Sequence, residues 1–492
     1  MKYKNPILPF DFSDPDAIRV NDKYYMVASS FNMLPGLPIL ESENLVEWKI
    51  INHAIYKMDS HFDNVRHGEG VWAPSIRYHN GLFYIIYPDP DRGIFEVHSA
   101  DIYGKFSEPH LIIKGYGIED PCPIWVDDKC YMAVGFAKSR AGFNSCIGVF
   151  EVTPDLDHNI SDYKIVYDGH NDNPTIEGPK FYKRNGYYYI MCPAGSVKGG
   201  WQTCLRSKNI YGPYESKIVL FQGDSLVNGP HQGALVDVDD SNDNFVFLHF
   251  QDKRAYGRIV HLQPAKFVND WPLCGNFNDP LLCGTPVTES DYPVLKETNY
   301  SIQISDDFKG KELSKMWMHP SNLDNFYSVD NKLVLNCFKT IYENQINLIP
   351  YSLYTYTPSD EFDIETQIDL TYLKNGNHIG FAIMGQKYKA IDFYKENNKY
   401  YARIIDGKFN EIDKHYEVFS IDNAINKLNL SFSNKNIYDM IYSVSINDYK
   451  VLDNQIAYAG RWIGTILGFY SYATKEEGKA SVSYYHTFIK NE

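Results

Sequence analysis

Residues 14–26 read DPDAIRVNDKYYM, and residues 120–132 read DPCPIWVDDKCYM. The two stretches share Asp-Pro, Ile, Val, Asp-Lys and Tyr-Met in one register, so the chain contains an internal repeat. A second pair, WAPSIRYHNGLFY (72–84) and EGPKFYKRNGYYY (177–189), shares a proline at the third place, Asn-Gly six residues later, and then aromatic residues. HQGALVDVDDSNDNFVFLHF (231–250) is interpreted as a fifth unit with a longer turn.

The spacing of these units indicates the architecture of the first half of the chain. They begin about 50 residues apart, which is the length of one four-stranded propeller blade. The intervals are strand-like runs broken by Gly, Pro, Asn and Asp, without a sustained helical apolar period. The sequence therefore predicts an all-β fold with few helices, in which residues 1–285 form a five-bladed β-propeller.

The starts of the five units are the candidate functional residues. The innermost strand of each blade runs beside the propeller axis, so equivalent positions of all blades are expected to converge at one end of it. These positions carry Asp14, Trp72, Asp120, Glu177 and His231. A single acid ahead of a strand often caps a turn, but three carboxylates at equivalent places favour a shared pocket.

Composition and charge exclude some classes of function. A chain of 492 residues with 15% aromatic residues is long enough for two or three domains, and its rings suit strands and stacking on sugars or bases. The formal net charge of -15, without a long Lys/Arg block, argues against a nucleic-acid partner.

The cysteines and the first residues of the chain indicate the cellular compartment in which the protein is expected. The eight cysteines form no CxxC pair and no metal-ligand spacing, so they are interpreted as mostly buried free thiols, which favours a reducing compartment. The start, MKYKNPILPFDF, lacks the apolar run of a secretory signal, and no stretch approaches the ~18 apolar residues of a membrane span. The chain as given is therefore expected to be cytoplasmic without a membrane partner, and secreted or periplasmic only if a leader has been removed.

The repeat stops after Leu282, and the remaining residues predict a second domain. Residues 286–303 are polar, carry Pro and Thr, and are interpreted as a linker. Residues 304–492 contain alternating segments such as KLVLNCF, DIETQIDL and TILGFYSY, which predict a β-sandwich. We find no catalytic constellation in this second domain.

Paired carboxylates across a cleft suit cleavage of a glycosidic bond, and at this point the sequence resembles a known family. The motifs SDPDAIRVNDKYYMVASSFNMLPGLPI, GVWAPSI, GIEDP, EGPKFYKRNGYYY, GPHQGALV and YGRIVHLQP are similar to those of glycoside hydrolase family 43. The resemblance implies a five-bladed propeller followed by a concanavalin-like jelly-roll sandwich. It also implies the chemistry of β-xylosidases and α-L-arabinofuranosidases.

The resemblance assigns roles to the three carboxylates. Asp14 of SDPD falls on the general base of the family, Glu177 of EGP on the general acid, and Asp120 of EDP on the acid that orients the general acid and modulates its pKa. A neighbouring negative charge disfavours ionisation of Glu177, in agreement with that role. Asp16 and Glu119 are interpreted as local turn or supporting groups.

The resemblance also implies substrate-binding residues and an ion. Phe31 and Trp72 match aromatic residues that wall the sugar pocket, and Arg258 matches a substrate-facing arginine near Asp14. His231 matches an axial histidine that often lies near a bound cation or water. We therefore expect a cation, most plausibly Ca²⁺, on the propeller axis near His231 and held largely through water, and no organic cofactor.

The expected function is an inverting exo-glycosidase that releases terminal β-D-xylose or α-L-arabinofuranose from plant cell-wall oligosaccharides. The motif SDPD stands where many xylosidases of the family have NPDP, which leaves the choice of pentose open. The alternatives are a catalytically silent carbohydrate-binding propeller and a protein-interaction propeller. The sandwich could cover the propeller, lend a loop to the pocket rim, or support a homo-oligomer.

Overall fold

The computed structural model of the chain describes residues 1–241, 243–277 and 282–490, so the predicted end of the second domain at residue 492 lies outside the described residues. Strands hold 53% of the residues and helices 4%, which confirms the all-β prediction. The described helices are short: α1 (Lys138–Ala141), α2 (Ser196–Gly199) and three single 3₁₀ turns (Ser60–Asp63, Arg254–Tyr256 and Ile346–Leu348). None of them has the length and apolar character that a bilayer crossing requires.

After the short strand β1 (Lys2–Lys4), the described residues of the first half form five four-stranded antiparallel sheets. Blade 1 contains β2 (Asp16–Val20), β3 (Lys23–Val27), β4 (Gly36–Ser42) and β5 (Lys49–Ile55). Blade 2 contains β6 (Ser75–His79), β7 (Leu82–Asp89), β8 (Gly93–Ser99) and β9 (His110–Lys114). Blade 3 contains β10 (Ile118–Val126), β11 (Lys129–Phe136), β12 (Cys146–Val152) and β13 (Lys164–Asp168).

Blade 4 contains β14 (Lys180–Arg184), β15 (Tyr187–Ala194), β16 (Trp201–Ser207) and β17 (Glu215–Phe221). Blade 5 contains β18 (His231–Asp237), β19 (Phe245–Asp252), β20 (Arg258–Val268) and β21 (Trp271–Cys274). Apolar side chains fill the space between neighbouring blades, as where Val27 and Ile39 of blade 1 pack with Ile76 and Ile85 of blade 2. The five-bladed propeller is confirmed.

The first hairpin of each blade follows from its turn residues. In blades 2 and 4 the turns are Asn80-Gly81, with φ of 49° and 83°, and Asn185-Gly186, with φ of 50° and 77°. Both residues of a type I′ turn need positive φ, which Asn and Gly adopt at little cost. These turns fix the register, so Ser75 pairs with Ile86 and Lys180 with Met191 at the axial ends of the strands.

The N-terminal segment closes the propeller ring over blade 5. Strand β1 pairs with the short strand β22 (Glu289–Asp291), which lies inside the segment predicted as a linker. Leu8 forms a bridge with Val260 of β20, and the Asn5 side chain donates to the carbonyl of Leu262 at 2.8 Å. The first residues of the chain thus join blade 5 to the segment that leads into the second domain.

The second domain is a sandwich of a seven-stranded and a six-stranded sheet. The larger sheet has the order β23 (Tyr327–Val329), β24 (Leu333–Cys337), β35 (Gly478–Ile489), β26 (Phe362–Asp369), β31 (Ile425–Asn434), β32 (Met440–Ile446) and β33 (Tyr449–Ile456). The smaller one has the order β25 (Ser352–Tyr356), β34 (Ile466–Ala473), β27 (Asn377–Met384), β28 (Lys387–Glu396), β29 (Lys399–Lys408) and β30 (Lys414–Ile421). Phe381 and Phe469 of the smaller sheet pack against Phe362 and Leu430 of the larger one, which confirms the predicted sandwich.

Buried hydrogen bonds join the propeller to the sandwich. The Asp11 carboxylate accepts from the backbone N–H of Arg258 at 2.8 Å and from that of Gly464 in the sandwich at 2.7 Å. Leu34 and His319 exchange backbone hydrogen bonds at 2.8 and 2.6 Å. Because a buried donor without a partner is costly, these bonds fix the 457–465 loop of the sandwich beside the propeller.

The cysteines agree with the sequence-based interpretation. All eight lie in described parts of the chain as free thiols, and seven are buried while Cys283 is half-buried. None of them is within the propeller pocket described next.

Candidate active site

A cavity of about 190 Å³ opens at the end of the propeller axis where the innermost strands begin. It brings together six of the seven predicted site residues: Asp14, Phe31, Trp72, Asp120, Glu177 and Arg258. The seventh, His231, lies behind Glu177 and contacts it directly. The other lining residues are Ala73, Glu119, Phe136, Ala137, Lys138, Ser139, Asn144, Gln232 and Trp462.

A left-handed backbone residue lies at the start of the innermost strand in four blades, just before the strand in blades 1 and 4 and just inside it in blades 3 and 5. Asp14 and Asp120 both have φ of 55°, Gly178 has 58° and Gln232 has 41°. Aspartate and glycine tolerate this conformation better than most residues. Counted back from the hairpin turn, Asp14 and Asp120 therefore correspond to Gly178, and Glu177 stands one residue earlier. The prediction of three equivalent carboxylates was wrong in this detail, because glycine occupies the left-handed position of blade 4.

Asp14 is buried between a hydroxyl and a guanidinium group. Ser29 Oγ donates to Asp14 Oδ2 at 2.5 Å, and Arg258 Nη1 donates to Asp14 Oδ1 at 3.3 Å. The Arg258 side chain is itself only 12% exposed and also faces Asp252 at 3.8 Å. Each carboxylate oxygen of Asp14 therefore has a hydrogen-bond donor, and the two donors fix the group at the wall of the cavity.

Asp120 lies behind Glu177 and accepts a hydrogen bond from the backbone of the next residue, Gly178. Its Oδ2 accepts from the N–H of Gly178 at 2.8 Å, which fixes the peptide that follows Glu177. Burial, together with the negative charges of Glu177 and Asp14, raises the pKa of Asp120 to about 7, although the Gly178 N–H and Lys180 act in the opposite direction. A side chain at Gly178 would meet Gln232 and Pro193 atoms at 2.9 Å, so only glycine allows this contact.

Glu177 is the more exposed of the three acids, with 36% of its side chain accessible. Its Oε1 shares a hydrogen bond with His231 Nε2 at 2.8 Å, and among the described residues Oε2 has no partner. The imidazole thus holds one carboxyl oxygen in place and leaves the other toward the cavity. This contact of His231 with Glu177 adds to its predicted roles, which were to bind substrate and to lie near a cation or water.

Aromatic rings from both domains form one wall of the cavity. Phe31 pairs with Val71 through backbone bonds of 2.8 and 2.9 Å, which places it beside Trp72. Trp462 of the sandwich meets Trp72 edge to face, with ring centroids 5.9 Å apart. Arg140 lies over the Trp72 ring at 5.3 Å. Such rings offer flat apolar faces that stack well on sugar rings.

The comparison with known proteins agrees with this geometry. The profile of glycosyl hydrolases family 43 matches residues 3–272, and that of the β-xylosidase C-terminal concanavalin A-like domain matches residues 305–487. The chain belongs to glycosyl hydrolase family 43. The family 43 profile covers every residue of the pocket except Trp462. Trp462 lies in the region that the C-terminal domain profile matches.

Named relatives of this family 43 protein include both pentosidase types. The chain is 43% identical over 309 residues to a protein of Xylanibacter ruminicola whose name assigns it to the β-xylosidases, across 62% of this chain and 56% of that one. It is 33% identical over 351 residues to a non-reducing end α-L-arabinofuranosidase of Bacteroides ovatus, across 67% of this chain and 63% of that one. The matched part therefore spans little more than half the length of the first of these relatives.

Solved structures share the two-domain fold. The crystal structure of xylan β-1,4-xylosidase from Bacillus halodurans C-125 superposes with a TM-score of 0.84 at 21% identity, over 98% of this chain and 99% of that one. A family 43 protein from Bacillus licheniformis gives a TM-score of 0.84 at 20% identity over the full length of both chains. These likenesses concern the fold alone.

Sequence reasoning did not single out Trp462 of the family 43 pocket, and it interpreted Glu119 and Asp16 only as local turn or supporting groups. Trp462 lies in a sandwich loop without any motif, and no signal in the sequence points to it. Glu119 was interpreted as a local group, but it is 6% exposed and lines the cavity. Asp16 is fully buried and reaches across to blade 2, where its Oδ2 accepts from Arg77 Nη1 at 2.6 Å. It therefore does not cap its own turn.

Glu119 places a second acidic group beside Asp120. Burial and the negative charges of Asp120, Glu177 and Asp14 hold the pKa of Glu119 well above its usual range, while Arg140 opposes this shift. This shift favours the neutral form of Glu119, and a neutral carboxyl group can donate a hydrogen bond. The sequence feature that could have identified Glu119 as a pocket residue was its position next to Asp120.

We expect Asp120→Asn to make the protein more stable at alkaline pH. The folded-state pKa of about 7 lies above the ordinary value of 3.8, so the folded state holds this proton more tightly and stability falls as pH rises through that window. Asparagine keeps an acceptor for Gly178 without the charge. Since one pKa unit corresponds to about 1.4 kcal/mol, the gain should be on the order of 4 kcal/mol at pH 8 and well below about 1 kcal/mol at pH 4.

Thermal unfolding at the two pH values measures this difference. The matched control is Asp240→Asn, because the Asp240 side chain is 94% exposed and its charge lies in water. A variant at Asp120 that is less stable than the parent at pH 8 would show that the carboxylate stabilises the folded pocket, in contradiction to the expectation.

Proposed function

We propose that this family 43 protein is an inverting exo-glycosidase that removes terminal β-D-xylose or α-L-arabinofuranose from plant cell-wall oligosaccharides. The observation that carries the proposal is the presence of Asp14, Asp120 and Glu177 in one cavity with three different surroundings. Different surroundings give chemically similar acids different tasks. The names of relatives, which include β-xylosidase and α-L-arabinofuranosidase, support the substrate class.

In this proposal Asp14 is the general base. The contact with Arg258 and the hydrogen bond from Ser29 hold its carboxyl group in place. As the base it takes a proton from water as that water attacks the anomeric carbon. Inversion follows because the water adds on the face opposite to the departing oxygen.

Glu177 is the general acid in this proposal. It gives a proton to the departing glycosidic oxygen through the carboxyl oxygen that His231 leaves free. The nearby Asp120, through Gly178, fixes the backbone from which Glu177 extends. Arg258 supplies hydrogen-bond donors for sugar hydroxyls.

The shape of the cavity supports an exo mode of action. Its volume of about 190 Å³ accommodates a single pentose, and Trp462 and Trp72 narrow its rim. A pocket of this size at the end of the axis favours the terminal sugar of a chain over an internal one. Both candidate pentoses fit this description, and the described residues do not favour one of them.

The first test compares two chromogenic substrates. We expect hydrolysis of nitrophenyl β-D-xylopyranoside, nitrophenyl α-L-arabinofuranoside or both, and a first-formed sugar of inverted anomeric configuration by NMR. Retention of configuration would contradict inversion. Binding of xylo-oligosaccharides by calorimetry without any hydrolysis would instead support the carbohydrate-binding alternative.

The roles of the two central acids predict different substrate dependence. Nitrophenolate leaves unaided whereas a sugar alkoxide needs a proton, so Glu177→Gln should lower kcat on oligosaccharides by about 10²–10⁴-fold and on nitrophenyl glycosides far less. The variant should also lose the alkaline limb of the pH–rate profile. Asp14→Asn should lower both activities by similar factors, because water must be activated whatever departs.

Steady-state kinetics on both substrate classes measure these effects. The control is Glu215→Gln, because the Glu215 side chain is 62% exposed on blade 4 and should leave both activities unchanged. Equal and small losses for Glu177→Gln on the two classes would mean that Glu177 is not the general acid.

We also propose a cation near His231 on the axis. The imidazole is 1% exposed at the start of β18, its Nε2 is engaged by Glu177, and its Nδ1 is buried without a partner among the described residues. Among the described residues no group of three histidine, cysteine or acidic ligands surrounds this point. The residues therefore fit an ion held largely through water, and such an ion would offset repulsion among the acids.

Chelation tests this second proposal. Exhaustive removal of metal should lower both the melting temperature and the hydrolytic activity, and addition of Ca²⁺ alone should restore both. Unchanged melting temperature and activity after chelation, confirmed by elemental analysis, would refute the cation.

A further inference from the structure

Three potential metal ligands lie together at the outer part of blade 3, away from the propeller pocket. Cys146 begins β12, Asp168 ends β13, and His170 follows two residues later. One ligand atom from each of them lies within 4.8 Å of the other two. Among the described residues this is the one such group of three histidine, cysteine or acidic side chains.

The backbone holds these three side chains on the same spot. Cys146 and Asp168 are direct partners in the antiparallel ladder between β12 and β13, so their side chains leave the same face of the sheet. His170 is turned back toward them, because its N–H donates to Asp168 Oδ1 at 3.1 Å and its Nδ1 lies 2.6 Å from the same oxygen. The N–H of Gly169 donates to the carbonyl of Ser145 at 2.8 Å and closes the turn.

We propose that Cys146, Asp168 and His170 bind a Zn²⁺ ion. Thiolate sulfur, imidazole nitrogen and carboxylate oxygen are the ligand atoms that zinc uses in proteins, and three of them leave a fourth tetrahedral position for water. Hard ions such as Ca²⁺ and Mg²⁺ prefer oxygen ligands alone, so the sulfur selects against them.

The exposure of the three residues allows an ion to enter. The Asp168 and His170 side chains are 68% and 55% exposed, whereas Cys146 is only 7% exposed beneath them. The two exposed side chains can separate slightly to admit the ion, and the buried sulfur forms the floor of the site. Binding breaks the S–H bond, the sulfur coordinates the ion, and the proton passes to solvent.

The position of the cluster gives the ion a structural effect. Residues 169–176 form the loop that connects β13 to Glu177. Asn173 N donates to Gly169 O at 2.9 Å and Thr175 N donates to Ser145 Oγ at 2.8 Å within this loop. An ion that ties the ends of β12 and β13 together fixes the base of the loop that carries Glu177, and zinc should raise the melting temperature as its concentration exceeds the dissociation constant.

Zinc titration of the full-length protein tests the proposal. The reduced protein is stripped of metal, transferred to a buffer with excess Ca²⁺ so that the proposed axial site is saturated, and titrated with Zn²⁺ against a chromophoric chelator. We expect one tightly bound Zn²⁺ per chain. Co²⁺ in place of Zn²⁺ should give the near-ultraviolet charge-transfer band of a thiolate–cobalt bond.

Two variants and two controls locate the ion. Cys146→Ser and His170→Ala should each weaken zinc binding by at least about 10-fold, and Cys146→Ser should abolish the cobalt–thiolate band. His158→Ala is the matched control, because His158 forms an exposed pair with Asp157 at 2.9 Å without a cysteine among its partners. Cys283→Ser is the thiol control, since Cys283 is the half-buried cysteine.

The outcome is decisive even if Cys146→Ser fails to fold, because His170 is exposed and its loss leaves the core intact. Absence of stoichiometric zinc binding in the parent protein would overturn the proposal. It would also be overturned by zinc affinity that is unchanged in His170→Ala, or by a cobalt complex that lacks the thiolate band.

Discussion

The pocket depends on a backbone constraint at the start of the innermost strands. A left-handed residue lies just before these strands in blades 1 and 4, where it is Asp14 or Gly178, and just inside the strand in blade 3, where it is Asp120. The constraint accounts for the residue types, because aspartate and glycine enter this region at small cost. The left-handed conformation also accounts for the direction of the acids, since it turns the backbone toward the propeller axis at the same place in each of these blades.

The convergence of acids has an electrostatic cost that the surrounding residues offset. Asp14, Asp120 and Glu177 are mutually repulsive in a cavity of low polarity, where charges are poorly screened. Arg258 neutralises Asp14, the Gly178 N–H bonds to Asp120, and the buried Lys180 lies nearby with its ammonium bonded to Pro74 O and Ser75 Oγ at 2.8 Å. The repulsion that these contacts do not offset raises the pKa of Asp120. The fold therefore loses some stability in order to keep the three acids together in the pocket.

The sandwich completes the pocket as well as covering the propeller. Asp11 binds the backbone of Arg258 with one carboxylate oxygen and that of Gly464 with the other. One buried side chain thus positions both the arginine that faces Asp14 and the loop that carries Trp462. Of the three tasks considered for the second domain, the structure shows that it lends a loop to the pocket rim.

The sequence by itself determined the propeller, its blades and most of the pocket. Repeated Asp-Pro and Asn-Gly pairs act over a few residues, and blade symmetry then carries Asp14, Asp120 and Glu177 to one place. Only the tertiary structure decided what depends on contacts between distant residues: Trp462 against Trp72, His231 against Glu177, and Asp16 against Arg77. The cysteines illustrate the same limit. Their spacing shows no metal motif, yet strand pairing brings Cys146 opposite Asp168, because the register of a β-ladder is set by turns and packing rather than by spacing along the chain.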